Sequence, residues 1–117
     1  MSAALRRWKR VKMDVRVRLW REQTDGVVVV LRSFELGEGG MSVYTPEPMA
    51  LGTMVRVSFS LPNGDLLHLH AIVRNQRGFR CGLEFVKLGD TDRAALARFV
   101  ERSQGLAADS LSDEANA

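Results

Sequence analysis

The 117-residue chain contains a single cysteine, Cys81, which excludes an intrachain disulfide and a metal cluster built from cysteines. A lone cysteine in an apolar run is typical of a buried small hydrophobe. No apolar run approaches the ~20 residues that a membrane-spanning helix needs, and the first residues lack the apolar stretch of a secretory signal. We therefore expect a cytoplasmic protein with no membrane span.

Aromatic residues are also scarce, at 7% of the chain, and no row of exposed aromatics suggests a platform for stacking bases. No nucleophile paired with a base and no pair of catalytic carboxylates is found, so we predict no enzyme activity. His68 and His70 lie two residues apart on one predicted strand and share a face. Because no third ligand has suitable spacing, we predict no metal site.

Positive charge is concentrated near the amino terminus. The chain has a net charge of +3, yet residues 6–21 hold eight cations against one acid, Asp14, and the rest of the chain is net acidic. A basic segment on an acidic body attracts an anion to one place, and a nucleotide, a nucleic acid and a lipid headgroup are all candidates. The cations are Arg6, Arg7, Lys9, Arg10, Lys12, Arg16, Arg18 and Arg21.

Alternation of apolar and polar residues predicts six short strands separated by tight turns. They span residues 13–19, 27–34, 41–44, 55–61, 66–74 and 79–85. Strands at this spacing predict an antiparallel barrel or sandwich, since closure removes the exposed edges.

After Gly89 the pattern changes to helical spacing, with Asp90 or Thr91 as the cap. Gly105 is the predicted end of this helix. The residues beyond it are small, polar and acidic, with too little apolar surface to offset the entropy of ordering.

Two arginines of the basic segment, Arg6 and Arg10, are spaced as Arg-x-x-x-Arg, with Arg7 adjacent to the first. A guanidinium donates two parallel hydrogen bonds to a phosphate or a purine edge, and it also stacks on a base. Downstream, the turn ELGEGG at residues 35–40 lets a ligand approach the backbone closely. Together the two elements indicate a site for a small anionic ligand.

Over roughly residues 6–101, the chain resembles the PilZ domain family, bacterial receptors for the second messenger cyclic di-GMP. The resemblance rests on the arginine segment, the 35–40 turn, Gly52, the LPNG hairpin at residues 61–64, Val73-Arg74 and the GLEF sequence at residues 82–85. It implies a mainly β fold, a split antiparallel β-barrel of six to seven strands followed by a C-terminal α-helix. It also implies that Arg6 and Arg10 hold the guanine edges and phosphates of the ligand.

The second signature of this family, Asp/Asn-x-Ser-x-x-Gly, is matched only at its last position, Gly40. Glu35 keeps the carboxylate that accepts from guanine N–H groups but is one methylene longer, and Gly37 lacks the serine hydroxyl. A neutral hydrogen bond contributes a net ~0.5 to 1.5 kcal/mol, so this loss weakens binding by a factor of ~2 to 12. We expect an exposed backbone N–H at Gly37, or a water molecule, to replace part of the missing hydrogen bond.

The sequence therefore predicts a single-domain receptor that binds cyclic di-GMP, without a cofactor, and relays it to an unidentified effector protein. Relay is expected to occur by ordering of the N-terminal segment. The predicted organisation is a flexible basic segment at residues 1–12, a barrel with its helix at 13–104 and a disordered tail at 105–117. The predicted ligand-binding residues are Arg6, Arg7, Arg10, Glu35, Gly37 and Gly40.

Two alternatives remain open. One is a degenerate PilZ-like adaptor that keeps the fold, does not bind the nucleotide and acts through protein contacts, which the glycine at position 37 favours. The other is a small basic barrel that binds nucleic acid through phosphates, with a steep salt dependence. The scarcity of aromatic residues argues against this second alternative, and no specific nucleic acid partner is expected.

Overall fold

A computed structural model describes residues 9–22 and 28–116, with side chains described as far as residue 103. Within these ranges the chain forms seven strands and one helix. The elements are β1 (Arg10–Lys12), β2 (Arg16–Arg21), β3 (Val29–Gly37), β4 (Gly40–Tyr44), β5 (Met54–Ser60), β6 (Leu66–Arg77), β7 (Arg80–Val86) and α1 (Asp90–Asn116).

All strand pairs are antiparallel, and six of the strands close into a barrel in the order β3, β2, β5, β6, β7, β4. The pairing of β4 with β3 completes the ring. β1 stays outside the ring and pairs with the second half of β3. The predicted antiparallel barrel with a C-terminal helix is thus confirmed.

The barrel core consists of the apolar residues that alternate along the strands, as the sequence predicts. Val17, Val55 and Val57 are fully buried, and so is Cys81, which confirms its interpretation as a small core residue. Burial raises the pKa of the Cys81 thiol to about 11. This thiol is therefore inert in the folded protein at neutral pH.

The predicted strand at residues 13–19 begins too early, because residues 13–15 form a division between β1 and β2, and β2 starts only at Arg16. The division occurs beside Ser33, whose side chain is 1% exposed. The Val15 N–H donates to Ser33 Oγ at 3.0 Å, and this hydroxyl in turn donates to the Met13 carbonyl oxygen. The hydroxyl replaces part of the backbone ladder, so the chain changes course between the two strands and carries β1 onto the second half of β3.

Residues 10–12, which the sequence assigned to a flexible segment, therefore pair with β3. Residues 1–8 lie outside the described part of the chain. The flexibility of the N-terminal segment stays a prediction for those residues.

Helix α1 begins at Asp90, one of the two residues predicted to cap it, with Asp90 and Asp92 in its first turn. It packs against β1 and β3. The predicted end at Gly105 is wrong, because the helix continues to Asn116. An isolated glycine costs only about 1 kcal/mol relative to alanine, and no proline follows it. The helix assignment concerns the backbone, and the side chains from residue 104 onward are not described. Disorder of the tail at 105–117 in solution stays a prediction.

Candidate functional site

The register of β1, β3 and β4 brings one polar residue from each strand together on the outer face of the barrel. Lys12 lies opposite Glu35, and Arg10 lies opposite Gly37. On the other side of β3, Glu35 lies opposite Ser42. Directly opposed residues share a face of a sheet, so the side chains of Arg10, Glu35 and Ser42 converge there. We call these three residues the Arg10 cluster.

Within the Arg10 cluster, Arg10 Nη1 donates a hydrogen bond of 2.9 Å to Ser42 Oγ. The same nitrogen lies 3.9 Å from Glu35 Oε1. The side chains of Arg10 and Glu35 are 19% and 32% exposed, so the guanidinium lies against the barrel instead of extending into solvent. A planar guanidinium presents five donors in a fixed fork, a geometry that suits a carboxylate, a phosphate or a purine edge.

Gly37 permits this arrangement by letting two backbones approach closely. A Cβ atom at this position would lie 2.6 Å from the Lys9 carbonyl oxygen and 3.0 Å from Arg10 Cγ. Real Cβ contacts are longer than the first of these distances, so any larger residue would require β1 to move. The expected exposed N–H or open space at Gly37 is not found, because Gly37 is buried and β1 fills the space.

Gly40 has a different role, although it belongs to the same signature. It lies opposite Glu84 in the pairing of β4 with β7. A Cβ atom here would overlap the Leu83 carbonyl oxygen. Gly40 therefore permits the pairing of β4 with β7 that closes the barrel, and its effect on ligand binding would be indirect.

Sequence reasoning missed Ser42, which lies between the buried core residues Met41 and Val43. A polar residue between two apolar ones on a strand signals the outer face. Its partner Arg10 was not evident, because that contact depends on the register of three strands. Arg6 and Arg7 lie outside the described residues, so only Arg10 of the predicted arginines is placed.

A second charged cluster lies just after the end of β2 and on β5 and β6, and β5 is three strands from β4 in the ring of six. His70 Nδ1 contacts Glu22 Oε1, and Arg56 Nε lies 3.6 Å from the same oxygen. The hydrogen bond with His70, aided by the positive charges nearby, lowers the pKa of the Glu22 carboxyl. No group of three or more His, Cys, Asp or Glu residues within residues 9–22 and 28–116 could hold a metal ion.

The described chain is thus a small antiparallel barrel with a C-terminal helix and with an arginine held on its outer face beside a carboxylate. The family model for the PilZ domain matches residues 4–102. The chain therefore belongs to the PilZ domain family.

Solved structures with the same fold support this assignment. The PilZ domain of YcgR from Escherichia coli, solved with c-di-GMP, has a TM-score of 0.71 and 16% identity, over 92% of this chain and 97% of that one. MotI/DgrA of Bacillus subtilis, an inhibitor of motility, has a TM-score of 0.72 and 20% identity, over 85% of this chain. The protein described here spans about half of that chain, 51%.

A third similar structure is the PilZ domain of CeSA from a cellulose-synthesizing bacterium. Its TM-score is 0.63 at 18% identity, over 84% of this chain and 97% of that one. Comparison with curated protein sequences gives no match. Among the described residues, no helix has the length and apolar character needed to cross a membrane.

Proposed function

We propose that this protein is a receptor for cyclic di-GMP that binds the nucleotide on the outer face of β1, β3 and β4. The observation that carries the proposal is the position of Arg10, held beside Glu35 at the site of the second family signature. Arg6 and Arg7, four and three residues before Arg10 in the sequence, would supply further cationic contacts. The YcgR structures, solved with c-di-GMP, support the choice of ligand.

The chemistry of the Arg10 cluster suits a guanine nucleotide. A guanidinium binds a phosphate or the O6 and N7 atoms of guanine with two hydrogen bonds, and the Glu35 carboxylate accepts from guanine N–H groups. Ser42 would supply a hydroxyl beside Glu35, which it lies directly opposite, two residues along β3 from the hydroxyl that Gly37 lacks. The protein would thus replace the missing serine from the neighbouring strand.

Relay to a partner would use the position of β1 between the ligand and the helix. β1 carries Arg10, lies outside the closed barrel and contacts α1. A ligand that binds better when the N-terminal residues are ordered shifts the protein toward that state by its difference in affinity. The changed surface at β1 and α1 would then be what an effector protein recognises.

One observation favours a second candidate, a PilZ-like adaptor that does not bind the nucleotide. The space above Gly37 is filled by the Lys9 carbonyl, and the Arg10 guanidinium already contacts Ser42 and Glu35. A ligand must displace or share these contacts. Such a protein would act only through contacts of its surface with another protein.

Calorimetric titration with cyclic di-GMP distinguishes the two candidates. We expect saturable micromolar or tighter binding, and Arg10→Ala should weaken it about 10- to 150-fold, as for the loss of hydrogen bonds from a charged donor. Arg6→Ala/Arg10→Ala should abolish it. Arg16→Ala is the matched control, since Arg16 is an exposed arginine on β2 rather than β1.

GMP and a short DNA duplex serve as ligand controls in the same titration. Absence of heat with folded wild-type protein would reject the receptor and leave the adaptor. Equal binding of the duplex, with a steep salt dependence, would instead indicate a nucleic-acid-binding barrel. The absence of enzyme activity and the cytoplasmic location stay predictions.

A further inference from the structure

An aromatic pair lies on the same outer face as the Arg10 cluster and has no role in the site described so far. The rings of Phe34 and Tyr44 have centroids 4.8 Å apart and planes tilted by 38°. The Arg80 guanidinium carbon lies 5.1 Å from the centroid of the Phe34 ring. Tyr44 is 43% exposed although its ring packs against Phe34.

Tyr44 is close enough to the Arg10 cluster for one ligand to contact both. It follows Ser42 by two residues on β4, so the two side chains point to the same face. Two residues of a strand span about 7 Å. This distance is comparable to the separation of a base from its phosphate in a nucleotide.

The space beside the ring has a suitable size and charge. A cavity of about 470 Å³ is lined by Tyr44, Phe34, Lys12 and Arg32, among others. Arg32 Nη2 lies 2.8 Å from Asp14 Oδ1, which holds that guanidinium at the rim. Lys12 is exposed, and its side chain forms no hydrogen bond or ion pair within the described part of the chain. Its ammonium is therefore available to a phosphate.

We propose that Tyr44 is a stacking subsite for a purine base, with Phe34 and Arg80 fixing the orientation of its ring and Lys12 binding the adjoining phosphate. This inference rests on the proposed receptor function and assigns a further, specificity-determining subsite to it. An isolated exposed tyrosine would be free to rotate. Here the ring contacts Phe34, itself covered by Arg80, while Tyr44 remains exposed and lines the cavity.

Tyr44 is the only tyrosine in the chain, which makes a direct test possible. In protein labelled with ¹³C at the tyrosine ring, the ring signals report on Tyr44 alone. Cyclic di-GMP should move these signals upfield through the ring current of a stacked base. The shift should saturate at the affinity measured by calorimetry.

Variants test the energetic contribution of the ring. Tyr44→Ala should weaken cyclic di-GMP binding about 5- to 150-fold, the range for loss of an aromatic that stacks on a base. Tyr44→Phe should bind as the wild type does, because it keeps the ring. Leu66→Ala, which shortens an exposed apolar side chain at the start of β6, is the control and should have no effect.

The outcomes separate the subsite from the receptor function. Calorimetric binding with unmoved Tyr44 signals, or with full affinity in Tyr44→Ala, overturns the subsite and leaves the receptor. Absence of any binding overturns both. Because the labelling experiment uses the wild-type chain, it decides the question even where Tyr44→Ala does not fold.

Discussion

Gly37 and Gly40 lie three residues apart, and each allows two backbones to approach more closely than a side chain would permit. At Gly40 the neighbouring strand is β7, and the contact closes the barrel. At Gly37 it is β1, which lies outside the barrel and carries Arg10. The segment at residues 37–40 therefore contains one glycine that the fold requires, Gly40, and one that the candidate site requires, Gly37. A match to the family signature at Gly40 alone is evidence about the fold.

The largest effect should come from Gly40→Ala. The new Cβ would overlap the Leu83 carbonyl oxygen, a backbone atom that cannot move away without opening the pairing of β4 with β7. We expect a loss of about 3 kcal/mol or more in the free energy of unfolding, and a melting temperature lower by about 12 °C or more. Thermal unfolding followed by circular dichroism measures this change.

Reactivity of the buried thiol provides a local measurement of the same effect. Cys81 lies opposite Val43 in the β4 and β7 pairing, so opening of this pairing should expose it to a thiol reagent. Gly89→Ala is the control, because a Cβ there meets nothing within 4 Å. A Gly40→Ala protein as stable and as slow to react as wild type would show that barrel closure does not depend on this glycine.

The next effect should come from Gly37→Ser, which restores the serine of the family signature. A Cβ at this position would lie 2.6 Å from the Lys9 carbonyl oxygen, so β1 must shift. We expect a loss of about 1 to 3 kcal/mol in stability, as for other overpacked sites, and no gain in affinity for cyclic di-GMP. Thermal unfolding and calorimetry measure the two quantities.

Gly37→Ala separates the effect of the added volume from that of the hydroxyl. Both variants should lose similar stability, since the Cβ atom causes the clash. Tighter ligand binding by Gly37→Ser, together with no loss of stability in Gly37→Ala, would contradict this expectation. Such a result would mean that β1 leaves Gly37 when the ligand binds.

The contrast between the two glycines also shows what the sequence could predict. Alternation and turn residues depend on neighbours in the chain, and they predicted the barrel strands and the start of the helix. The break within residues 13–19 depends on a hydroxyl from Ser33, which is distant in sequence. The register shift between Ser33 and Glu35 places Glu35 opposite Ser42, and no local pattern shows such a shift. For this reason the contact of Ser42 with Arg10 emerged only from the fold.

The smallest effect should come from Ser42→Ala, which tests whether the hydroxyl missing at Gly37 is supplied from β4. Removing the acceptor of the 2.9 Å hydrogen bond takes one contact from Arg10 and one polar group from the candidate site, while the contact of Arg10 with Glu35 remains. We expect cyclic di-GMP to bind about 2- to 12-fold more weakly, the cost of one neutral hydrogen bond. Ser58→Ala, on β5 across the barrel, is the matched control and should bind as wild type does.

Unchanged affinity in Ser42→Ala would show that Ser42 only holds Arg10 in the absence of ligand. The affinity would then come from the arginines and Glu35 alone, and the serine hydroxyl missing at Gly37 would have no replacement in this chain.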